Sequence, residues 1–101
     1  MLIAHLRFPV APENRKTATD ALIADLETVR GMKGCLAFHP IHDPTDEAVL
    51  GVVHEWATEE DFAAYTSSDV FLRFGARIRP MMTGKPVSRR FRSELLAVLN
   101  G

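Results

Sequence analysis

The chain has 101 residues, one cysteine and a formal net charge of −1, the size of a single domain, 1–101, built on one core. Its 47% hydrophobic and 25% charged residues are a globular balance. No apolar run is long enough to cross a bilayer, and no basic segment leads into an apolar one at the N-terminus, so neither membrane insertion nor a signal peptide is expected. Cys35, being single, excludes an internal disulfide, which agrees with a reducing, cytoplasmic setting.

Charge is unevenly spread. Residues 34–72 hold eight acids and no Lys or Arg, whereas residues 70–93 hold seven bases and no acid. The basic block carries little aromatic–basic alternation, so nucleic acid is not an expected partner. The asymmetry reads as two solvated faces that can meet across a dimer, or as an anion-attracting pocket near Arg77 or Arg79.

In chain order, Met1–Val10 predicts a strand, with His5 and Arg7 on the face opposite Ala4, Leu6 and Phe8. From Glu13 to Arg30 the period turns helical, with Ala18, Ala21, Leu22, Leu26 and Val29 on one stripe and Gly31 as C-terminal cap. Cys35–Ile41 predicts a second strand, with Cys35, Ala37, His39 and Ile41 on one side. Asp43-Pro44-Thr45-Asp46 is a turn joining it to a third. Val49–Val53 reads as a central strand covered on both faces. Thr58, followed by Glu59, Glu60 and Asp61, opens a helix: the hydroxyl can cap backbone N–H groups and the acids suit the positive end of the dipole. Ser68 can cap a further helix to about Arg79, where Val70, Phe71, Phe74 and Ile78 repeat at helical spacing and Pro80 ends it. Val87–Ser93 alternates as an edge strand. Leu95–Leu99 is apolar and either extends that strand or packs on a partner.

The resulting order is the α+β, ferredoxin-like βαββαβ plan, an antiparallel four-stranded sheet with helices on one face. The uncovered sheet face predicts a homodimer in which a second chain covers it.

Gly34-Cys35-Leu36, the Asp43–Asp46 turn, Glu55-Trp56, Thr58–Phe62 and Ser68-Asp69-Val70-Phe71 together resemble the antibiotic biosynthesis monooxygenase domain, a family of the dimeric α+β barrel superfamily. The resemblance runs from the first strand to the last. It implies a dimer whose sheets pack into a barrel, with a pocket between the helices and sheet of each subunit. Members include cofactor-independent oxygenases of anthrones and quinols, haem-degrading enzymes and an isomerase of a signalling molecule, so fold and function are kept apart. Haem degradation is not implied: the positions matching that branch's Trp, His and Asn are Tyr65, Gly75 and the His5–Arg7 neighbourhood. The anthrone-oxidising members are similar at Trp56, but the tyrosine they carry in the next helix falls on Phe62, with Tyr65 one turn later.

Oxygenation without a cofactor needs a base near neutrality, donors or cations for the substrate anion, and a dry pocket. Histidine is the natural base. His54, His39 and Tyr65 are therefore the candidate catalytic residues. Trp56, Phe62, Phe71, Phe74, Arg77 and His5 are the candidate contacts to a small aromatic, quinol-like or enolisable substrate. His54 and Trp56 share a strand face by alternation, and His39 and His5 join them there if the register allows. Neither a metal nor another cofactor is expected. Each residue also has a structural role open to it: Trp56 as a wedge between sheet and helix, the phenylalanines as core, Arg77 in a surface ion pair, Cys35 as a small apolar residue. The alternative function is a non-catalytic dimeric domain that binds small molecules or serves in stress. A cavity reached by Trp56, Tyr65 and a histidine favours the enzyme; a space filled by Phe62, Phe71 and Phe74 favours the alternative.

Overall fold

The computed structural model describes residues 1–101. Strands β1 (Leu2–Pro9), β2 (Cys35–Asp43), β3 (Asp46–Trp56) and β4 (Val87–Arg92) form one sheet in the order β2-β3-β1-β4, with every neighbouring pair antiparallel. Helices α1 (Arg15–Ala24), α2 (Leu26–Arg30), α3 (Glu59–Thr66) and α4 (Asp69–Ile78) complete the ferredoxin-like plan, with single 3₁₀ turns at Pro12–Asn14 and Arg79–Met81. No helix is long and apolar enough to cross a membrane.

The period-2 alternation of the strands decides which side chains meet the helices. Leu2, Ala4 and Phe8 of β1 pair with Trp56, His54 and Leu50 of β3, and all six are buried. They pack against Ala18, Leu22, Val29, Phe62, Tyr65, Val70 and Ile78 from the helices in one continuous core. Both capping hydroxyls act as the sequence suggests: Thr58 Oγ1 accepts from the Asp61 N–H at 3.0 Å and Ser68 Oγ from the Phe71 N–H at 3.3 Å. Each such cap stabilises its helix by about 1 kcal/mol.

Several local expectations shift. The helix expected over 13–30 breaks at Asp25, whose carboxylate accepts from Arg73 and Arg77 of α4 at 3.4 Å each. Gly31 ends α2 in a right-handed conformation (φ −83°), and the left-handed residue is Gly34 (φ 79°). A bulge between Cys35 and Ala37 sets Cys35 opposite Trp56, while Ala37, His39 and Ile41 stay on the other face. The third strand is longer than Val49–Val53, and Val49 and Val53 on its outer face are only half-buried. Leu95–Leu99 does not continue β4: residues 93–101 have no regular structure, and Leu96 and Leu99 are 91% and 92% exposed.

Gly34 is confined twice. Its φ suits glycine, and a β-carbon there would collide with the Asp61 carboxylate. Gly34→Ala is expected to lower the unfolding free energy by about 1–3 kcal/mol, read as a lower urea midpoint at unchanged slope.

Candidate functional site

Between the sheet and helices α3 and α4 lies a cavity of about 190 Å³. Leu6 of β1, Phe38 of β2 and Val52 and His54 of β3 form its floor. Phe62, Tyr65 and Thr66 of α3 and Phe71 and Phe74 of α4 form its roof, and Pro86, Ser88 and Arg90, all exposed, form its rim. Each strand contributes through the face it shares with the core. Each helix contributes through the stripe it turns toward the core.

His54 is the central polar group. It is 4% exposed and lies against a shell of rings: Phe38 at 5.2 Å, Phe62 at 5.7 Å and Tyr65 at 5.9 Å between centroids. Its Nδ1 lies 2.9 Å from Trp56 Nε1. Burial, reinforced by the positive charge of Arg90 and by His5, lowers the imidazole pKa from 6.5 to about 4. The ring is therefore neutral at physiological pH. Burial likewise pushes the Tyr65 phenol well above its ordinary value, so it stays protonated. Burial also raises the Cys35 thiol, which is no activated nucleophile.

Arg90 supplies the charge. It pairs with Ala4 across β1–β4, which turns it to the helix side of the sheet, and its guanidinium carbon sits 4.8 Å above the centroid of Phe62. Stacking on a ring holds the cation in place at a modest gain of about 1 kcal/mol. The lining contains a cation and hydroxyl, phenol and imidazole groups, but no carboxylate.

His54, Tyr65, Phe62, Phe71 and Phe74 thus meet in one cavity. The other four candidates do not. His39 pairs with Val53 and His5 with Val53 and Arg89, positions out of phase with His54, so both imidazoles lie on the outer sheet face. Phe38 takes the place across from His54, His39 Nδ1 lies 3.3 Å from Arg30 Nη2, and the His5 ring meets Phe91. The register does not allow His39 and His5 to share the face of His54, and no group of three His, Cys, Asp or Glu residues could hold a metal. Arg77 is drawn to Asp25 and does not line the cavity. Trp56 is 0% exposed, so it is not a cavity wall: it sits behind His54, stacked on Tyr65 at 5.0 Å and 20°. The phenylalanines line the space without filling it.

Sequence reasoning missed Arg90. The alternation Val87, Arg89, Phe91 against Ser88, Arg90, Arg92 was visible, but which set faces the helices depends on the β1–β4 register.

An antiparallel ferredoxin-like sheet with a ring-lined cavity under its second helix pair defines a class of small α+β domains with an internal site. The model of the antibiotic biosynthesis monooxygenase family matches residues 1–77, and the chain belongs to that family. A Deinococcus radiodurans protein described as a candidate antibiotic biosynthesis monooxygenase superposes with a TM-score of 0.89 at 13% identity, covering 100% of both chains. A Nitrosomonas europaea protein described in the same way gives 0.86 at 14% identity over 92% of this chain and 98% of its own. One from Caulobacter crescentus gives 0.79 at 22% identity over 93% and 90%. At these identities the likeness is one of fold. No curated protein matches the sequence significantly.

Proposed function

We propose that the cavity takes up a small aromatic or enolisable molecule as its oxyanion, without a bound cofactor, and exposes that electron-rich anion to dioxygen. One observation carries the reading: a ring-lined space whose charged group is a cation and whose imidazole is neutral, with no carboxylate to oppose an anion. Ring faces can stack on a planar ligand, the buried His54 can hold its oxygen, and the exposed Arg90 can balance its charge at the rim.

Size narrows the class. An engineered cavity of about 150 Å³ takes up benzene, and pockets for drug-sized molecules span about 300–1,000 Å³. A volume of about 190 Å³ suits one substituted ring better than a fused tricyclic anthrone. In the oxygenation of a quinol to a hydroxyquinone, one oxygen atom enters the ring and the other leaves as water. The ring supplies all four electrons, so no external reductant is needed.

Oxygen uptake with single-ring quinols tests the reading. Arg90→Met is expected to lower kcat/KM about 100-fold, the scale seen when one donor to a developing oxyanion is removed. Binding without oxygen uptake would instead favour a non-catalytic small-molecule-binding domain. A specific observation supports that second reading: Phe62 provides no phenol, and neither Tyr65 nor His54 offers a ready base.

The reading includes a homodimer. The outer sheet face carries Val87 and Phe91 at 58% and 37% exposure, and the Leu95–Leu99 segment that follows β4 in the chain is bare, so much apolar surface is uncovered for one chain. Sedimentation at micromolar concentration is expected to give twice the 11.3 kDa chain mass; a single-chain mass would refute the dimer.

A further inference from the structure

Trp56 does not line the cavity, yet it is hydrogen-bonded to the one imidazole that does. An indole nitrogen can only donate a hydrogen bond. At 2.9 Å from Trp56 Nε1, His54 Nδ1 must therefore accept, and a proton on Nδ1 would oppose the indole hydrogen head-on. The hydrogen-bond network assigns the ring proton to Nε2. No solvent-sealed side-chain nitrogen or oxygen lacks a partner, and Nε2 has none within the chain, so Nε2 opens on the cavity that His54 lines.

The indole is itself immobilised. Residues two apart on a strand share a face, so β3 sets Trp56 beside His54, and the stacked Tyr65 ring fixes the plane of the indole. Full burial excludes water that could replace this bond. We infer that Trp56 is a positioning residue: its N–H holds His54 in a single neutral form whose Nε2–H points into the cavity, making the imidazole a fixed donor to a ligand oxyanion and not a proton acceptor. A base would need a free lone pair on Nε2, which requires the proton on Nδ1 that the indole forbids. The inference deepens the proposed function and rests on the cavity being the ligand site.

Two measurements test it separately. Nitrogen-15 NMR of the histidine rings in the ligand-free protein is expected to show His54 with Nδ1 unprotonated and Nε2 protonated. In Trp56→Phe the two neutral forms should mix. A wild-type ring protonated on Nδ1, or a mixture equal to that of the variant, overturns the inference whatever the protein binds.

The second measurement uses 4-nitrophenol, whose near-neutral pKa and ionisation-dependent absorption reveal the bound form. Below its solution pKa, binding is expected to shift its absorption to that of the phenolate. His54→Leu should weaken binding at least about ten-fold, as expected for a lost hydrogen bond to a charged group. His54→Gln, whose amide can accept from the indole and donate to the ligand, should keep most of the affinity that His54→Leu loses. Equal losses in the two variants overturn the fixed-donor role. If the NMR result stands and no phenolate binds, the oxyanion reading of the cavity fails while the Trp56–His54 arrangement holds.

Discussion

Trp56→Ala is expected to lower the unfolding free energy by about 3–5 kcal/mol, the range for removing a large buried aromatic. Trp56 is 0% exposed and stacks on Tyr65, and its loss would open a cavity at the joint between β3 and α3. It would also leave His54 Nδ1 buried without its donor, a penalty of about 1–3 kcal/mol that falls within that range. Domains of this size are stable by only about 5–15 kcal/mol, so a large part of the total is at stake. For about 100 residues the melting temperature should fall by some 15–30 °C. Trp56 is the only tryptophan, so its fluorescence cannot follow the variant, and far-ultraviolet circular dichroism is the suitable probe. Trp56→Phe, which keeps a buried ring but loses the donor and part of the indole's volume, should fall between wild type and Trp56→Ala. Equal losses in the two variants would show that the hydrogen bond, and not the packing, dominates.

Acid should destabilise the protein through His54 as the pH falls below 6.5. The imidazole has its ordinary pKa of 6.5 in the unfolded chain and a value of about 4 when folded. Between those pH values the unfolded state binds a proton that the folded state does not. Stability therefore rises with pH across this window, is fully present above 6.5, and is lost as pH falls towards 4. The difference of 6.5 − 4, or 2.5 pH units, corresponds to roughly 3 kcal/mol at about 1.4 kcal/mol per unit. Burial is the main cause, with Arg90 on β4 and His5 on β1 adding repulsion of the same sign, while Tyr65 on α3 stays neutral. Urea denaturation of wild type and His54→Gln at pH 7, 6, 5 and 4 isolates the contribution, because Gln does not titrate. The wild-type curve should drop more steeply below pH 6.5, and parallel curves would show that His54 does not carry the effect. Asp43, held low by hydrogen bonds from Thr45 and by Arg7, acts in a more acidic range and equally in both proteins.

Local signals in the chain were enough for the architecture. The helix starts at Thr58 and Ser68 were legible because a capping hydroxyl and its N–H lie three residues apart, within one turn of chain. The strands were legible because alternation has a period of two. Phase was harder. One extra residue at the Cys35–Ala37 bulge changed which side of β2 Cys35 joins, and no local residue pattern marks that bulge. The break at Asp25 was hidden for a related reason: its partners, Arg73 and Arg77, lie on a helix some fifty residues later.

The site divides in the same way. That His54 and Trp56 share a face, and that Phe71 and Phe74 turn inward, follows from spacing along one element. The sequence by itself determined the fold, the family resemblance and the aromatic character of the cavity, because these rest on periodicity and on contacts within a turn or a hairpin. Only the tertiary structure decided that His39 and His5 face away, that Arg77 is tied to Asp25, that Arg90 supplies the cavity's charge, and that Trp56 stands behind His54 and not at the cavity. Those outcomes depend on the register between strands and on packing between distant elements. A shift of one residue in register reverses the face of every side chain, and no single segment encodes it.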